Sequence, residues 1–157
     1  MEIQLSSHLA APADVVWDSA SSMTGVNREL MPLVRMTYPA GRETFSADSV
    51  APGTVVFRSW LLVGGVFPVD RHALSFESFD VSGGFVEEST SWLQRRWRHE
   101  RTVSTSAPQQ CTVTDRLLVE PRLPFARPVV RWTVARVFRH RHRRLQQRFG
   151  TVEAGGL

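Results

Sequence analysis

The sequence has no lysine, only one cysteine and no long apolar run. Cys111 alone can form no internal disulfide and supplies too few thiolates for a metal cluster, so we interpret it as a small core residue. No segment approaches the roughly 20 apolar residues that cross a bilayer, and the first residues do not combine a basic leader with an apolar run. We therefore expect no membrane span, no signal peptide and a cytoplasmic protein.

All 19 basic residues are arginines, a bias that GC-rich coding explains before function does. Five of them crowd the end of the chain, with His140 and His142 between them: Arg139, Arg141, Arg143, Arg144 and Arg148. Because cations are favourable near a helix C-terminus, we interpret this cluster as a solvated helix end. The alternative is a surface that meets nucleic acid, an anionic membrane or an acidic partner.

The order of apolar patterns predicts a single domain over residues 1–150 and a disordered tail over residues 151–157. Alternation over residues 2–9 indicates a strand, and two short helices follow, after Pro12 and from Gly25. Six further β-rich runs come next, and the short loops between them indicate antiparallel neighbours. We predict an α+β fold in which a curved antiparallel sheet of about seven strands packs on a long C-terminal helix and encloses a cavity.

That last helix is predicted from Pro128 to Phe149, with a proline at its start and Gly150 at its end. One stripe of the helix is apolar and contains Val130, Val134, Val137, Phe138, Leu145 and Phe149. The opposite face carries Trp132, Arg136, Arg139 and Arg143. Arg141 falls inside the apolar stripe, where a charge is costly unless an acid or a wet cavity receives it. The helix is therefore expected to cover something polar.

A hairpin over residues 94–120 supplies candidate partners for Arg141. One face of its first strand carries Trp97, His99, Arg101 and Val103. A turn centred near Ala107 would pair Trp97 with Leu117, His99 with Asp115, Arg101 with Val113, and Val103 with Cys111. Glu87 on the preceding strand faces the same way. We thus predict that Glu87, Asp115, Arg101, Arg141 and His99 meet.

Several motifs along the chain carry a resemblance. Residues 11–17, APADVVW, are similar to an A-P-x-x-V-W entry into a first helix. In order, residues 84–88 (GFVEE), 97–99 (WRH), 114–115 (TD) and 138–142 (FRHRH) are similar to the motifs of a bacterial ligand-binding branch of the START-like, or SRPBCC, superfamily. This resemblance implies a helix-grip fold and a hydrophobic pocket for a small molecule. Arg101 replaces a second histidine of that branch, and residues 92–94 (WLQ) replace a Gly-Pro-Phe turn, so the ligand of better-known members does not carry over.

The leading functional hypothesis is the binding of a small hydrophobic molecule, lipid-like or polyketide-like, between the sheet and the last helix. The expected ligand-binding residues are Glu87, Trp97, His99, Arg101, Asp115, Val134, Phe138 and Arg141. We expect no cofactor. We also expect no metal site, because His140 and His142 lie about 200° apart on a helix and cannot chelate one ion.

Three other interpretations stay open. In the first, the polar cluster is purely structural, with its buried groups paired to one another. In the second, the protein is a polyketide cyclase or dehydratase-like enzyme in which Asp115 orients His99 for proton exchange with a substrate. In the third, the outer helix face, with Trp132, Arg136, Arg139 and Arg143, binds an acidic partner or nucleic acid. We rank nucleic acid below a small molecule as the partner.

Overall fold

The computed structural model describes residues 1–46 and 48–152. The strands are β1 (Glu2–Leu9), β2 (Val34–Met36), β3 (Val55–Val63), β4 (Phe67–Asp80), β5 (Gly84–Ser91), β6 (Gln94–Ala107) and β7 (Gln110–Pro121). The helices are α1 (Ala13–Ala20), α2 (Met23–Leu30) and α3 (Arg127–Phe149), and a single 3₁₀ turn (Pro124–Ala126) leads into α3. Thr151 forms a β-bridge with Leu9, and the N–H of Val152 donates a hydrogen bond to the carbonyl oxygen of His8, so both residues lie beside the end of β1. The rest of the predicted tail lies outside the described residues.

The seven strands form one antiparallel sheet in the order β1-β7-β6-β5-β4-β3-β2. Register shifts interrupt β3, the β4–β5 pairing and the β6–β7 pairing. Such bulges bend a sheet and increase its twist, and here the sheet curls into a half-barrel around α3. The predicted helix-grip architecture, with two short helices after the first strand, is confirmed. None of the described helices combines the length and hydropathy needed to cross a bilayer.

The long helix α3 begins at Arg127, one residue before the predicted start, and ends at Phe149. The cap residue Gly150 follows it with a φ of 79°, which suits glycine. The buried residues of α3 are Val134, Phe138, Arg141, His142 and Leu145. The burial predicted for Arg141 is confirmed, since only 7% of it is exposed. His142 differs from the expectation of a solvated helix end, because it too is buried. The outer residues Trp132, Arg136, Arg139 and Arg143 are exposed, as predicted.

The hydrophobic core is divided into three clusters. One joins Leu9, Trp17, Cys111 and Leu145 under the C-terminal end of α3, so Cys111 is the core residue that the sequence predicted, and burial raises the pKa of its thiol. A second lies beneath α2 and includes Phe57, Leu74 and Phe76. A third joins Leu117 and Val119 of β7 to Val134 and Phe138 of α3.

Helix α2 carries an acidic residue, Glu29, into the interior. Its first turn is capped by the Ser22 hydroxyl, which accepts a hydrogen bond from the Gly25 N–H at 3.0 Å. Gly25 packs tightly against α1, since a Cβ at this position would lie 1.9 Å from the Ser19 carbonyl oxygen. Glu29, on the same helix, is only 3% exposed and lies against Arg141 of α3.

The β6–β7 hairpin has a different register from the predicted one. His99 pairs with Leu117, Arg101 with Asp115, and Val103 with Val113, a shift of two residues. The turn is only two residues long, since Ala107 pairs with Gln110, and a bulge precedes it between Thr105 and Ala107. Because side chains alternate with a period of two, the shift leaves every residue on its predicted face. It changes the cross-strand neighbour of Asp115 from His99 to Arg101.

Candidate functional site

A cavity of about 210 Å³ lies between the sheet and α3. Its walls are mainly apolar, and they include Met36, Leu61, Trp97, Val134, Val137 and Phe138. The polar residues that border it are Asp70, His72, Glu87, Gln94, His99, Thr133 and Arg141. Val63, Val69 and Leu93 also line the cavity and are half exposed, so they mark where it reaches solvent. Typical ligand pockets measure roughly 300–1,000 Å³, so this cavity suits a small ligand.

Of the eight predicted ligand-binding residues, six line this cavity: Glu87, Trp97, His99, Val134, Phe138 and Arg141. The other two, Arg101 and Asp115, do not border it. They lie behind His99 and Arg141, where they pair with each other and with groups on α2 and α3. The structure therefore separates the predicted cluster into a cavity wall and a buried network.

Arg101 is the centre of the buried network and is 1% exposed. Its Nε and Nη2 donate hydrogen bonds of 2.7 Å to the two carboxylate oxygens of Asp115. Its Nη1 lies 2.8 Å from the nearer oxygen of Glu29. Burial alone would lower the pKa of Arg101, but the charges of Asp115 and Glu29 raise it above the ordinary arginine value. Burial likewise opposes ionisation of Asp115, yet the adjacent Arg101 holds the pKa of Asp115 well below its usual range.

Two histidines also contact the carboxylate of Asp115. His99 Nε2 lies 2.7 Å from one carboxylate oxygen, and His142 Nε2 lies 2.8 Å from the other. The second nitrogen of His142 is 2.7 Å from the Ser7 hydroxyl. The second nitrogen of His99 is 3.6 Å from Glu87. Both nitrogens of His99 therefore face carboxylates.

Glu87 is paired on its other side with His72 of β4. His72 Nε2 lies 2.6 Å from a Glu87 oxygen, and the Ser89 hydroxyl donates a 2.8 Å hydrogen bond to the same oxygen. Burial would raise the pKa of Glu87, but the hydrogen bond with His72 and the proximity of His99 lower it well below the ordinary glutamate value. His72 was not among the predicted site residues. It shares a face of β4 with buried Leu74 and Phe76, so the period-two pattern could have indicated it.

Arg141 is received by Glu29, an acid that the sequence analysis did not identify. Arg141 Nε donates to a Glu29 oxygen at 3.2 Å, and its guanidinium carbon lies 4.8 Å from the centre of the Phe138 ring. Its terminal amino groups have no hydrogen-bond acceptor within the described part of the chain. Arg141 therefore keeps donor capacity at the cavity wall. No local signal links Glu29 to Arg141, because only the packing of α2 against α3 brings them together.

Residues 7–149 match the family described as Domain of unknown function (DUF8410). No curated protein matches the sequence. Among solved structures, the chain is similar to a START superfamily protein from Mycobacterium smegmatis (13% identity, TM-score 0.65, covering 94% of this chain and 96% of that one). It is also similar to a protein from Chromobacterium violaceum (10% identity, TM-score 0.71, 96% and 98% covered).

A third similar structure is the ZhuI aromatase/cyclase from Streptomyces sp. R1128, at 14% identity and a TM-score of 0.61, with 94% of this chain and 92% of that chain covered. At such low identities the likeness shows the fold alone. It confirms the START-like fold that the motifs predicted.

Proposed function

We propose that this chain, which belongs to the DUF8410 family, binds one small and largely apolar molecule in the cavity between the sheet and α3. The observation that carries the proposal is the composition of the cavity wall. Apolar side chains from four strands, α2 and α3 surround a space that a few polar groups border, which is the usual composition of a small-molecule site. The START-like fold of the similar structures supports the same interpretation.

Arg141 is the group best suited to fix the orientation of the ligand. Its Nε is held by Glu29 and its plane rests against Phe138, so the side chain is positioned before any ligand arrives. Its terminal amino groups suit a carboxylate or enolate oxygen, because a guanidinium binds such groups with charge-assisted hydrogen bonds. A lipid-like acid or a polyketide-like molecule would present an oxygen of this kind beside an apolar body.

The geometry of His99 supports binding rather than cyclase or dehydratase chemistry. A general acid or base must come within hydrogen-bond reach of the proton that it transfers. Both ring nitrogens of His99 face Asp115 and Glu87 at 2.7 and 3.6 Å, and the ring is packed edge-on between Phe85 and Phe138. We therefore assign His99 to the cavity wall and to the pairing of the two acids.

Calorimetric titration with octanoate tests the proposal. Burying a chain of this length stabilises the complex by about 0.8 kcal/mol per methylene, which predicts a Kd of roughly 0.1 mM for the wild type. Val137→Phe fills part of the cavity and should weaken binding at least about tenfold. Val129→Phe is the matched control, because Val129 is exposed on the same helix, and it should change the Kd less than twofold. Absence of octanoate binding, or equal binding by both variants, would contradict the proposal.

A further inference from the structure

Asp70 is a buried acid on the cavity wall that lacks a basic partner. It lies on β4, borders the cavity and is 4% exposed. One of its oxygens, Oδ1, accepts hydrogen bonds from the backbone N–H groups of Arg71 and Leu93, at 2.8 and 3.2 Å. Across residues 1–46 and 48–152, no hydrogen-bond donor reaches Oδ2 and no arginine or histidine lies within salt-bridge distance. A buried carboxylate is costly when no cation compensates it.

Gln94 is a second unpartnered group on the same wall. It begins β6, is 8% exposed and borders the same cavity. Its backbone N–H donates to the Ser91 hydroxyl at 2.9 Å, but its side-chain oxygen has no hydrogen-bond partner in the described residues. Buried side-chain polar atoms are nearly always hydrogen-bonded in native proteins. The Gln94 oxygen is itself covered by protein atoms, so Gln94 shapes the wall beside Leu93, whose N–H binds Asp70, and leaves Asp70 as the accessible acceptor.

The other buried acids of the site differ from Asp70. Glu87 is held by His72, and Glu29 and Asp115 are held by Arg101. No ion pair joins Asp70 to Arg141 in the described residues, and the Nε of Arg141 is held by Glu29.

We infer that Asp70 forms an acceptor subsite for a cationic amine, and hence that the apolar ligand carries an ammonium group. This inference rests on the proposed function, since it requires that the cavity holds a small molecule. An ammonium group has three N–H donors, so it can give one of them to Oδ2 of Asp70. It also neutralises the one acid on the wall that lacks a basic partner in the described part of the chain.

The test compares three probes that have the same eight-carbon chain: octylamine, 1-octanol and octanoate. Each is titrated calorimetrically into the wild type and into Asp70→Asn, in which the amide oxygen can still accept the N–H groups of Arg71 and Leu93. Asp80→Asn is the matched control, because Asp80 is an exposed acid at the end of the same strand. A charge-assisted hydrogen bond predicts that Asp70→Asn weakens octylamine binding at least about tenfold. Asp80→Asn should change it less than twofold.

The pattern across the probes separates the inference from the proposed function. Octanoate should bind Asp70→Asn within about twofold of the wild type, and 1-octanol should lose less than about threefold. If octanoate binds but octylamine binding does not depend on Asp70, the subsite is overturned and the proposed function stands. An equal loss for 1-octanol overturns the requirement for a cation. If no probe binds the wild type, both are overturned.

Discussion

Two sets of buried polar groups lie near the cavity, and they differ in how completely they are paired. Arg101 binds both Asp115 and Glu29, at 2.7–3.0 Å. Asp70 and Gln94 lie on the cavity wall and keep an oxygen without a donor in the described chain. A group whose hydrogen bonds are all satisfied within the protein has none left for a ligand. We therefore assign the first set to the framework of the fold and Asp70 to recognition.

Among the substitutions that test this comparison, Arg101→Met should change the free energy of unfolding most. The substitution leaves Asp115 and Glu29 buried without their shared cation, which should lower the free energy of unfolding by about 3–5 kcal/mol. Urea unfolding at neutral pH measures the loss. Arg116→Met is the matched control, because Arg116 forms a half-exposed pair with Glu2 and its removal should cost about 1 kcal/mol or less. Similar losses for the two variants would mean that Arg101 is not part of the framework.

The second-largest effect is expected on the stability of the protein at acidic pH, because it depends on the ionisation of Glu87. Its pKa is lower in the folded protein than in the unfolded chain, so its contribution to stability is present above the ordinary pKa of about 4.3 and is lost as the pH falls below that value. Between about pH 4 and pH 2, the wild type should therefore lose up to about 1.4 kcal/mol per pH unit more than Glu87→Gln does. Urea unfolding at a series of pH values gives both slopes. Parallel slopes would show that Glu87 is not ionised and paired in the folded state.

The smallest effects are expected on the recognition side. Asp70→Asn keeps an oxygen for the N–H groups of Arg71 and Leu93 and leaves no cation unpaired, so the free energy of unfolding should change by about 1 kcal/mol or less. Gln94→Met removes an unpartnered buried amide and should be neutral or slightly stabilising. Thermal and urea unfolding measure both variants. A loss above about 3 kcal/mol for Asp70→Asn would place Asp70 in the framework and break the comparison.

The order of the elements and the faces of the strands could be predicted because they depend on local periodicity. The helical period of 3.6 residues predicted that Arg141 lies on the buried face of α3. The strand period of two predicted that His99, Arg101 and Asp115 share the inner face of the sheet. Register depends on turn geometry instead. Relative to the predicted register, the two-residue turn before Gln110 and its adjacent bulge shift the pairing by two residues. The apolar pattern is the same in both registers, so it could not distinguish them.

The site itself could be predicted only where its residues interrupt an apolar pattern. Arg141 interrupts the apolar stripe of α3. Asp70 and His72 likewise interrupt the face of β4 that includes Leu74 and Phe76, but the sequence analysis did not assign the faces of this strand. Glu29 could not have been predicted as a partner of Arg101 and Arg141, because the two ends of each contact lie far apart in the sequence. Such pairings are fixed by the packing of α2 against the sheet and α3.

The most direct test of ligand binding in the cavity is a methyl NMR titration of the wild type with octanoate. We predict saturable chemical-shift changes concentrated on the cavity-lining methyl groups of Leu61, Val134 and Val137. The methyl groups of Val113 and Leu145, buried in another cluster, should shift little. No saturable change at the three cavity residues, or changes confined to exposed methyl groups, would contradict the account.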